Sequence, residues 1–292
     1  MKQLYGVLLI VVSAAAFGAM AVLAPVAYNA GTNPISLLFL RFTIAGLAMA
    51  LVMVVRKKEF PRGKLLLALA LMGGVWYVAQ SLAYFTALTM ASAGLVALLL
   101  YLYPALVALI SAIVFRERMT RPKLASLGIA LAGAVLTIGP SKEGESLGVL
   151  LALTAAVLYA TYIVVGEELM ERVEALSATT VIMLAAAVSY GGIVALQGFR
   201  APSGTGGWIA IVATAICSTV AIGTFFAGLE KVGASSAAVL STVEPFVTVG
   251  LAALVLRERI EPVQLVGGFC ILIAVAFLTR TEFVEVDTGS TH

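Results

Sequence analysis

Ten apolar runs follow one another along the chain. They lie at about residues 4–27, 33–55, 64–88, 92–115, 122–139, 147–169, 176–197, 206–229, 234–256 and 263–279. Each approaches the roughly 20 residues that carry an α-helix across about 30 Å of hydrocarbon. No water reaches the backbone there, so runs of this length must satisfy their own N–H and C=O groups, and helices do so. Composition agrees: 62% of residues are hydrophobic and 11% charged, against about a quarter charged in soluble domains. The expected fold class is an all-α polytopic membrane protein with ten transmembrane helices. The run that starts after Lys2 is too long for a signal-peptide core and reads as a retained first helix. Turn formers mark most joins, as at Asn29–Pro34 and Gly198–Gly207. The third join offers only Thr89, Met90 and Ala91, but merging its flanks would make a span far too long for a bilayer.

The stretch LYLYPALVALISAIVFRER, Leu100 to Arg118, returns 141 positions later as STVEPFVTVGLAALVLRER, Ser241 to Arg259. Pro104 falls on Pro245 without a gap, and Arg116-Glu117-Arg118 falls on Arg257-Glu258-Arg259. The same offset brings YFTAL at Tyr84 to Leu88 onto FFAGL at Phe225 to Leu229. Gly6-Val7-Leu8-Leu9 similarly resembles Gly148-Val149-Leu150-Leu151, so the duplication reaches the first helix of each half.

Lys and Arg set the orientation. With the N-terminus inside, thirteen basic residues fall on the cytoplasmic side and four outside, with Arg41 left within a span. The first five spans carry that bias, ten against none, while the last five are nearly indifferent at three against four. Five spans per repeat is an odd number, so the second copy inserts upside down. The expectation is two inverted-topology five-helix repeats, 1–140 and 141–280, with both termini cytoplasmic and a disordered tail at 281–292. Inverted repeats of this kind suit alternating access, because exchanging the conformations of the halves exchanges the open side.

Ionisable groups within a bilayer are costly, and nearly all of them here lie at segment ends. The exceptions are Arg41 in the second run and Glu244 in the ninth. Glu244 stands 13 residues from Arg257, about 20 Å along a helix, and Pro104 is about 18 Å in from Arg116. Both prolines therefore sit near the midplane. Each removes a backbone hydrogen bond, and the freed carbonyls must face protein or a wet cavity. The pair reads as helix breaks around a central site, or as bends made for packing. For Glu244 three readings stay open: a structural partner for Arg41, a ligand for a substrate ammonium, or a carboxyl that carries a coupled proton. Tyr77, Gln80 and Tyr84 share a face of the third run. Tyr103, beside Pro104, matches Glu244 in the repeat register, and Tyr159 and Tyr162 occupy the sixth run. With Ser241 they form a candidate lining for a neutral or zwitterionic amphipathic solute; the alternative is aromatic packing between helices or against lipid. Ser126, Ala130 and Ala134 form a small-residue stripe, suited to a homodimer face or to close packing within a monomer.

Cys217 and Cys270 lie within apolar runs and carry no metal or disulfide spacing. His292 and Asp287 are the only histidine and aspartate, both in the tail, so the serine, metallo and aspartyl intramembrane proteases lack their key residues. No phosphate-binding GxxxxGK[ST] loop is present. No enzyme, cofactor, metal or nucleic-acid partner is implied; the expected partners are the lipid bilayer and a small-molecule substrate.

The segments YPALVALISAIVFRERMTRPKLASLGIALAGAVL and EPFVTVGLAALVLRERIEPVQLVGGFCILIAVAF carry a repeat signature: a proline midway along the fourth helix, an E-R turn, then a glycine-bearing fifth helix. In this the chain resembles the drug/metabolite transporter superfamily, and more narrowly EamA-type exporters, looking most like the aromatic amino acid exporters. The resemblance implies a solute site between helices one to four of one half and six to nine of the other, including Tyr103 and Glu244. It implies export of amino acids or related metabolites across a bacterial inner membrane. A multidrug or lipophilic-cation exporter is the alternative within the superfamily, and a non-transporting scaffold or sensor the alternative outside it. Tyr103-Pro104 departs from the E-P pattern that Glu244-Pro245 keeps, so one half alone supplies an acid.

Overall fold

The computed structural model describes residues 2–114, 120–138, 145–170 and 172–289. The Arg116-Glu117-Arg118 end of the first repeat lies outside the described residues. Regular structure among the described residues is helical throughout. Helix α1 is Lys2–Asn29 and α2 is Pro34–Val55. Helix α3 (Gly63–Leu71) runs through a π-helical turn, Met72–Tyr77, into α4 (Val78–Ala87). Then come α5 (Ala93–Leu100), α6 (Tyr103–Val114), α7 (Arg121–Ile138), α8 (Glu145–Met170) and α9 (Ala175–Gln197). Helix α10 (Gly204–Ser241) precedes α11 (Val243–Leu251), which ends in a second π-helical turn, Ala252–Leu256, and α12 is Pro262–Gly289.

Eight helical spans among the described residues are long and apolar enough to cross a bilayer, from Leu4–Asn29 to Gly204–Leu229. The ninth and tenth runs form shorter apolar helices, Val243–Leu256 and Pro262–Phe277. The ninth is short because α10 does not stop near residue 230. Glu230-Lys231-Val232-Gly233 offers no proline, and the helix continues to Ser241. Helical conformation also persists to Gly289, through most of the stretch expected to be disordered; residues 281–288 hold neither glycine nor proline.

The expected joins are found where turn chemistry supports them. Asn33 accepts a hydrogen bond from Ser36 N and stands before Pro34 at the start of α2, which both caps the helix and pre-sets its first φ. The three-residue join after α4 is real: Ser92 caps α5 through Leu95 N, so the third and fourth runs are separate spans. Small residues fill the interior, among them Ala14, Ala21, Ala24, Ala27, Ala152, Ala155 and Ala156. Large side chains such as Phe42, Leu37, Leu38 and Tyr190 are buried as well, but many others face outward, with Val188 76%, Leu196 89% and Leu254 80% exposed. A lipid surround permits that apolar exterior, and the small interior residues allow the close backbone approach that drives helix association there. Ser126, Ala130 and Ala134 are all buried within the chain on α7, which packs along α12 with Gly133 against Gly267. The stripe is therefore an intramolecular seam and not a free dimer face.

Contacts between loops tie the bundle at its ends. Ser203 N donates to Ala30 O at 2.6 Å and Thr32 Oγ1 to Arg200 O at 2.8 Å. At the start of α5, Ala93 N and Gly94 N donate to the Glu258 carboxylate at 2.8 and 3.2 Å. At the other end of α2 and α9, Lys58 pairs with Glu174 at 3.0 Å.

Candidate functional site

Each proline break falls where the ring chemistry puts it. Pro104 cannot donate to Leu100 O, and α5 ends at Leu100; the chain turns through Tyr101 and Leu102 before α6 begins. Pro245 cannot donate to Ser241 O, and α10 ends at Ser241, with Thr242 between it and α11. The Ser241 carbonyl is not left empty. Tyr101 Oη, from the turn before the other proline, donates to it at 2.7 Å. The same hydroxyl reaches Glu244 Oε2 at 2.9 Å. Two breaks related by the 141-residue register thus meet, and the hydroxyl of one caps the carbonyl exposed by the other.

Proton counting limits this triad. Tyr101 has one hydroxyl proton and two acceptors within reach, so with an ionised Glu244 it serves one of them at a time. Both contacts hold together when the Glu244 carboxyl carries a proton and donates it to Tyr101 Oη while Tyr101 donates to Ser241 O. The arrangement can therefore register whether Glu244 is protonated.

From Tyr101 a line of rings crosses the bundle. Tyr101 and Tyr103 lie 6.0 Å apart between centroids, Tyr103 and Tyr159 4.7 Å, Tyr159 and Tyr162 6.2 Å, and Tyr162 and Tyr77 5.6 Å. Tyr77 then meets Phe42 at 5.5 Å, and Phe42 stacks on Tyr190 at 5.6 Å. The π-helical turn Met72–Tyr77 aims the middle of this line. Gly73 within it lies so close to α9 that a Cβ would collide with the Ile182 backbone. Trp76 Nε1 donates to Leu158 O at 3.0 Å and to Thr161 Oγ1 at 3.2 Å, fixing the turn against α8. Single π-helical turns recur at functional sites for this reason: one inserted residue re-aims the side chains around it.

The structure unites much of the expected lining. Tyr77, Tyr103 and Tyr159 belong to one ring series, and Ser241 and Glu244 are joined through Tyr101. Gln80 and Tyr84 share the buried face of α4, where the Tyr84 ring stands 5.4 Å from Phe85. The Tyr84, Tyr103 and Tyr159 hydroxyls and the Gln80 amide hydrogen-bond to nothing among the described residues, yet they are not among the sealed, unpartnered polar atoms, which are Thr43 Oγ1, Thr120 Oγ1 and Ser126 Oγ. Gly18 of α1 closes one wall: its Cα lies against the Glu244 carbonyl, and Thr248 Oγ1 donates to Gly18 O at 3.3 Å.

One expected alternative is corrected. Arg41 and Glu244 form no ion pair; Arg41 Nε instead donates to Ser218 Oγ at 2.6 Å on α10. Behind the Pro245 break is an apolar groove of about 350 Å³ lined by Leu98, Pro245, Phe246, Val249 and Phe269. Phe246 and Phe269 are more than half exposed, so the groove belongs to the lipid-facing surface, and of the expected site residues it takes in Pro245 alone.

Tyr101, Trp76, Phe42, Tyr190 and Ser218 were missed by sequence reading. In an unbroken helix Tyr101 and Tyr103 would point about 200° apart, so only one could face a cavity. The turn at 101–102 brings both to the same side. The signal was present, because Tyr101 stands in register with the hydroxyl residue Thr242.

Comparison with known proteins supplies the rest. Residues 4–139 and 146–280 match the model of the EamA-like transporter family. An uncharacterized transporter of Archaeoglobus fulgidus is 26% identical over 261 residues, covering 85% of this chain and 89% of that protein. The uncharacterized transporter YcbK of Bacillus subtilis is 23% identical over 97% of this chain and 95% of its own length. An uncharacterized transporter of Synechocystis is 26% identical over 67% of this chain, and the match spans 61% of that relative's length. A crystal structure with 21% identity superposes with a TM-score of 0.69 over 94% of this chain and 98% of its own, which is a likeness of fold.

Proposed function

The chain belongs to the EamA-like transporter family, and from that premise we propose that this multi-pass membrane transporter, which is not an enzyme, exports amino acids or similar small metabolites across a bacterial inner membrane. Aromatic and other neutral amino acids are the favoured solutes. Transport proceeds by alternating access of two inverted five-helix repeats, ten spans in all, with both termini in the cytoplasm. In this reading the short helices Val243–Leu256 and Pro262–Phe277 serve as the ninth and tenth spans.

The observation that carries the reading is the Tyr101–Ser241–Glu244 triad. A carboxyl, a hydroxyl and a helix-break carbonyl meet where the halves join, beside tyrosine and glutamine groups whose polar ends lack protein partners. A packing role alone would leave no reason to keep a carboxyl there, since its burial is costly. Glu244 receives the solute ammonium or a proton, and either event changes what Tyr101 must bond. The hydrogen bonds from Ala93 and Gly94 to Glu258 also join the halves at one end of the bundle; alternating access requires such bridges to open and reform.

A cation exporter would draw on the same carboxyl, but the buried cation Arg41 opposes it. The test is efflux of a labelled solute panel from proteoliposomes, for the parent, Glu244→Gln and Tyr103→Ala. Flux of neutral amino acids that both variants reduce supports the reading. Movement of a cationic dye with no amino-acid flux overturns the substrate class, and movement of neither reverts the chain to a scaffold or sensor.

A further inference from the structure

Arg41 is 3% exposed on α2, within the span and out of reach of Glu244 as an ion-pair partner. Its protein partners are all neutral. Nε donates to Ser218 Oγ at 2.6 Å, and that hydroxyl is turned to Met20 Sδ at 2.9 Å. The guanidinium carbon stands 4.8 Å from the Phe42 ring centroid and 5.0 Å from that of Phe85. One of the five guanidinium N–H groups is thus hydrogen-bonded, and the terminal nitrogens donate to nothing among the described residues. Two aromatic faces and a hydroxyl offset only part of what a buried cation loses by leaving water. A guanidinium clamped at Nε and over two rings, with its terminal fork free, is a preformed receptor for a carboxylate, which such a fork takes in bidentate fashion.

The surroundings favour an anion whose other end is cationic. The groups around Arg41 include Tyr28 from α1, Tyr84 from α4, Tyr190 from α9 and Ser218 from α10. Tyr190 Oη is already bonded to Val78 O at 3.0 Å and lies 2.9 Å from Ser81 Oγ, and Tyr28 Oη donates to Phe85 O at 3.1 Å. Tyr84 alone of these has a hydroxyl unbonded among the described residues. We propose that Arg41 is the carboxylate-binding pole of the transport site, holding the solute's carboxylate on its terminal N–H groups while the solute's ammonium is directed towards Glu244. The proposal rests on the amino-acid reading above and sharpens it: the carboxylate becomes obligatory, and amides and lipophilic cations are excluded.

The test uses the full chain, with phenylalanine, phenylalanine amide and hydrocinnamate as probes. In proteoliposome counterflow of labelled phenylalanine, the amide should compete at least about tenfold more weakly than the acid, the loss expected when a charged hydrogen-bonding partner is removed. Arg41→Gln should remove that preference, and Arg41→Lys, which keeps the charge without the fork, should retain part of it. Thermal stabilisation of the detergent-solubilised protein by hydrocinnamate, a carboxylate without an ammonium, should be present in the parent and lost in Arg41→Gln. Equal competition by acid and amide overturns the proposal, as does equal stabilisation of parent and Arg41→Gln. If the parent moves no phenylalanine, the transport reading fails by itself, and the hydrocinnamate measurement still decides the role of Arg41. Should neither variant fold, acid against amide on the parent decides alone.

Discussion

Replacing Tyr101 by Phe removes one oxygen and leaves two acceptors without their shared donor. Ser241 O has already lost its helical partner to Pro245, and its bond from Tyr101 Oη is 2.7 Å long; Glu244 Oε2 loses a contact of 2.9 Å. In soluble proteins an orphaned buried acceptor costs about 1–3 kcal/mol. Measured membrane hydrogen bonds average about 0.6 and reach about 1.7 kcal/mol, because the unfolded chain in lipid also finds partners. The membrane value governs here, so Tyr101→Phe should destabilise by about 0.6–1.7 kcal/mol. More diagnostic is the coupling with Glu244→Gln. An amide can still bond Tyr101, but only by supplying its own N–H or by taking the single hydroxyl proton from Ser241. The two losses therefore should not add. A double-mutant cycle in mixed-micelle unfolding should show a coupling energy of about 1 kcal/mol, above the roughly 0.3–0.5 kcal/mol scatter of independent sites. Additive losses, with each variant near the parent in stability, would refute the triad as an energetic unit.

Glu244→Gln should abolish the pH dependence of transport in proteoliposomes, and an unchanged pH profile would remove Glu244 from any coupling role. Gly73→Ala should lower stability by about 1–3 kcal/mol, because the new methyl group meets the Ile182 backbone. Gly128→Ala, with nothing within 4 Å of its Cβ position, should be neutral or stabilising by up to about 1 kcal/mol; equal effects in thermal unfolding would contradict the close approach at Gly73. Glu258→Ala leaves Ala93 N and Gly94 N without their carboxylate and should cost about 1–2 kcal/mol. It should also raise the rate at which a cysteine placed at Ala91 reacts with an impermeant thiol reagent. An unaltered rate would mean that Glu258 does not hold that end shut.

The membrane class, the helix joins and the proline breaks could all be read before any coordinates, because each follows from a local rule. Apolar length sets the spans, Asn33-Pro34 and Ser92 set helix starts, and a proline denies a bond to the residue four before it. What escaped depends on two chains of contacts meeting. The continuation of α10 past residue 230 reflects the absence of a breaker, and spacing arguments weigh missing signals poorly. Arg41 and Glu244 looked like a pair because both were isolated in sequence, yet a side chain's partner depends on helix rotation, which periodicity leaves open when the flanking residues are apolar all round. Tyr101 was hidden by treating LYLYP as one straight helix, although Pro104 already argued against that geometry.

The duplicated helix break also has a consequence that neither copy has alone. A proline in a single membrane helix leaves a carbonyl that must be bonded by something at the same depth. Two copies of one sequence whose breaks meet put each in position to supply what the other lacks. Here the supply runs one way, from Tyr101 to Ser241, because Tyr101 faces Thr242 in the register and Glu244 replaces Tyr103. A fully symmetric pair would place two tyrosines or two acids at the join, and two ionised carboxylates would repel at that depth. One acid against one tyrosine avoids that repulsion. It leaves a single protonatable group at the junction, and a proton or an ammonium arriving there alters the bond that ties the halves together.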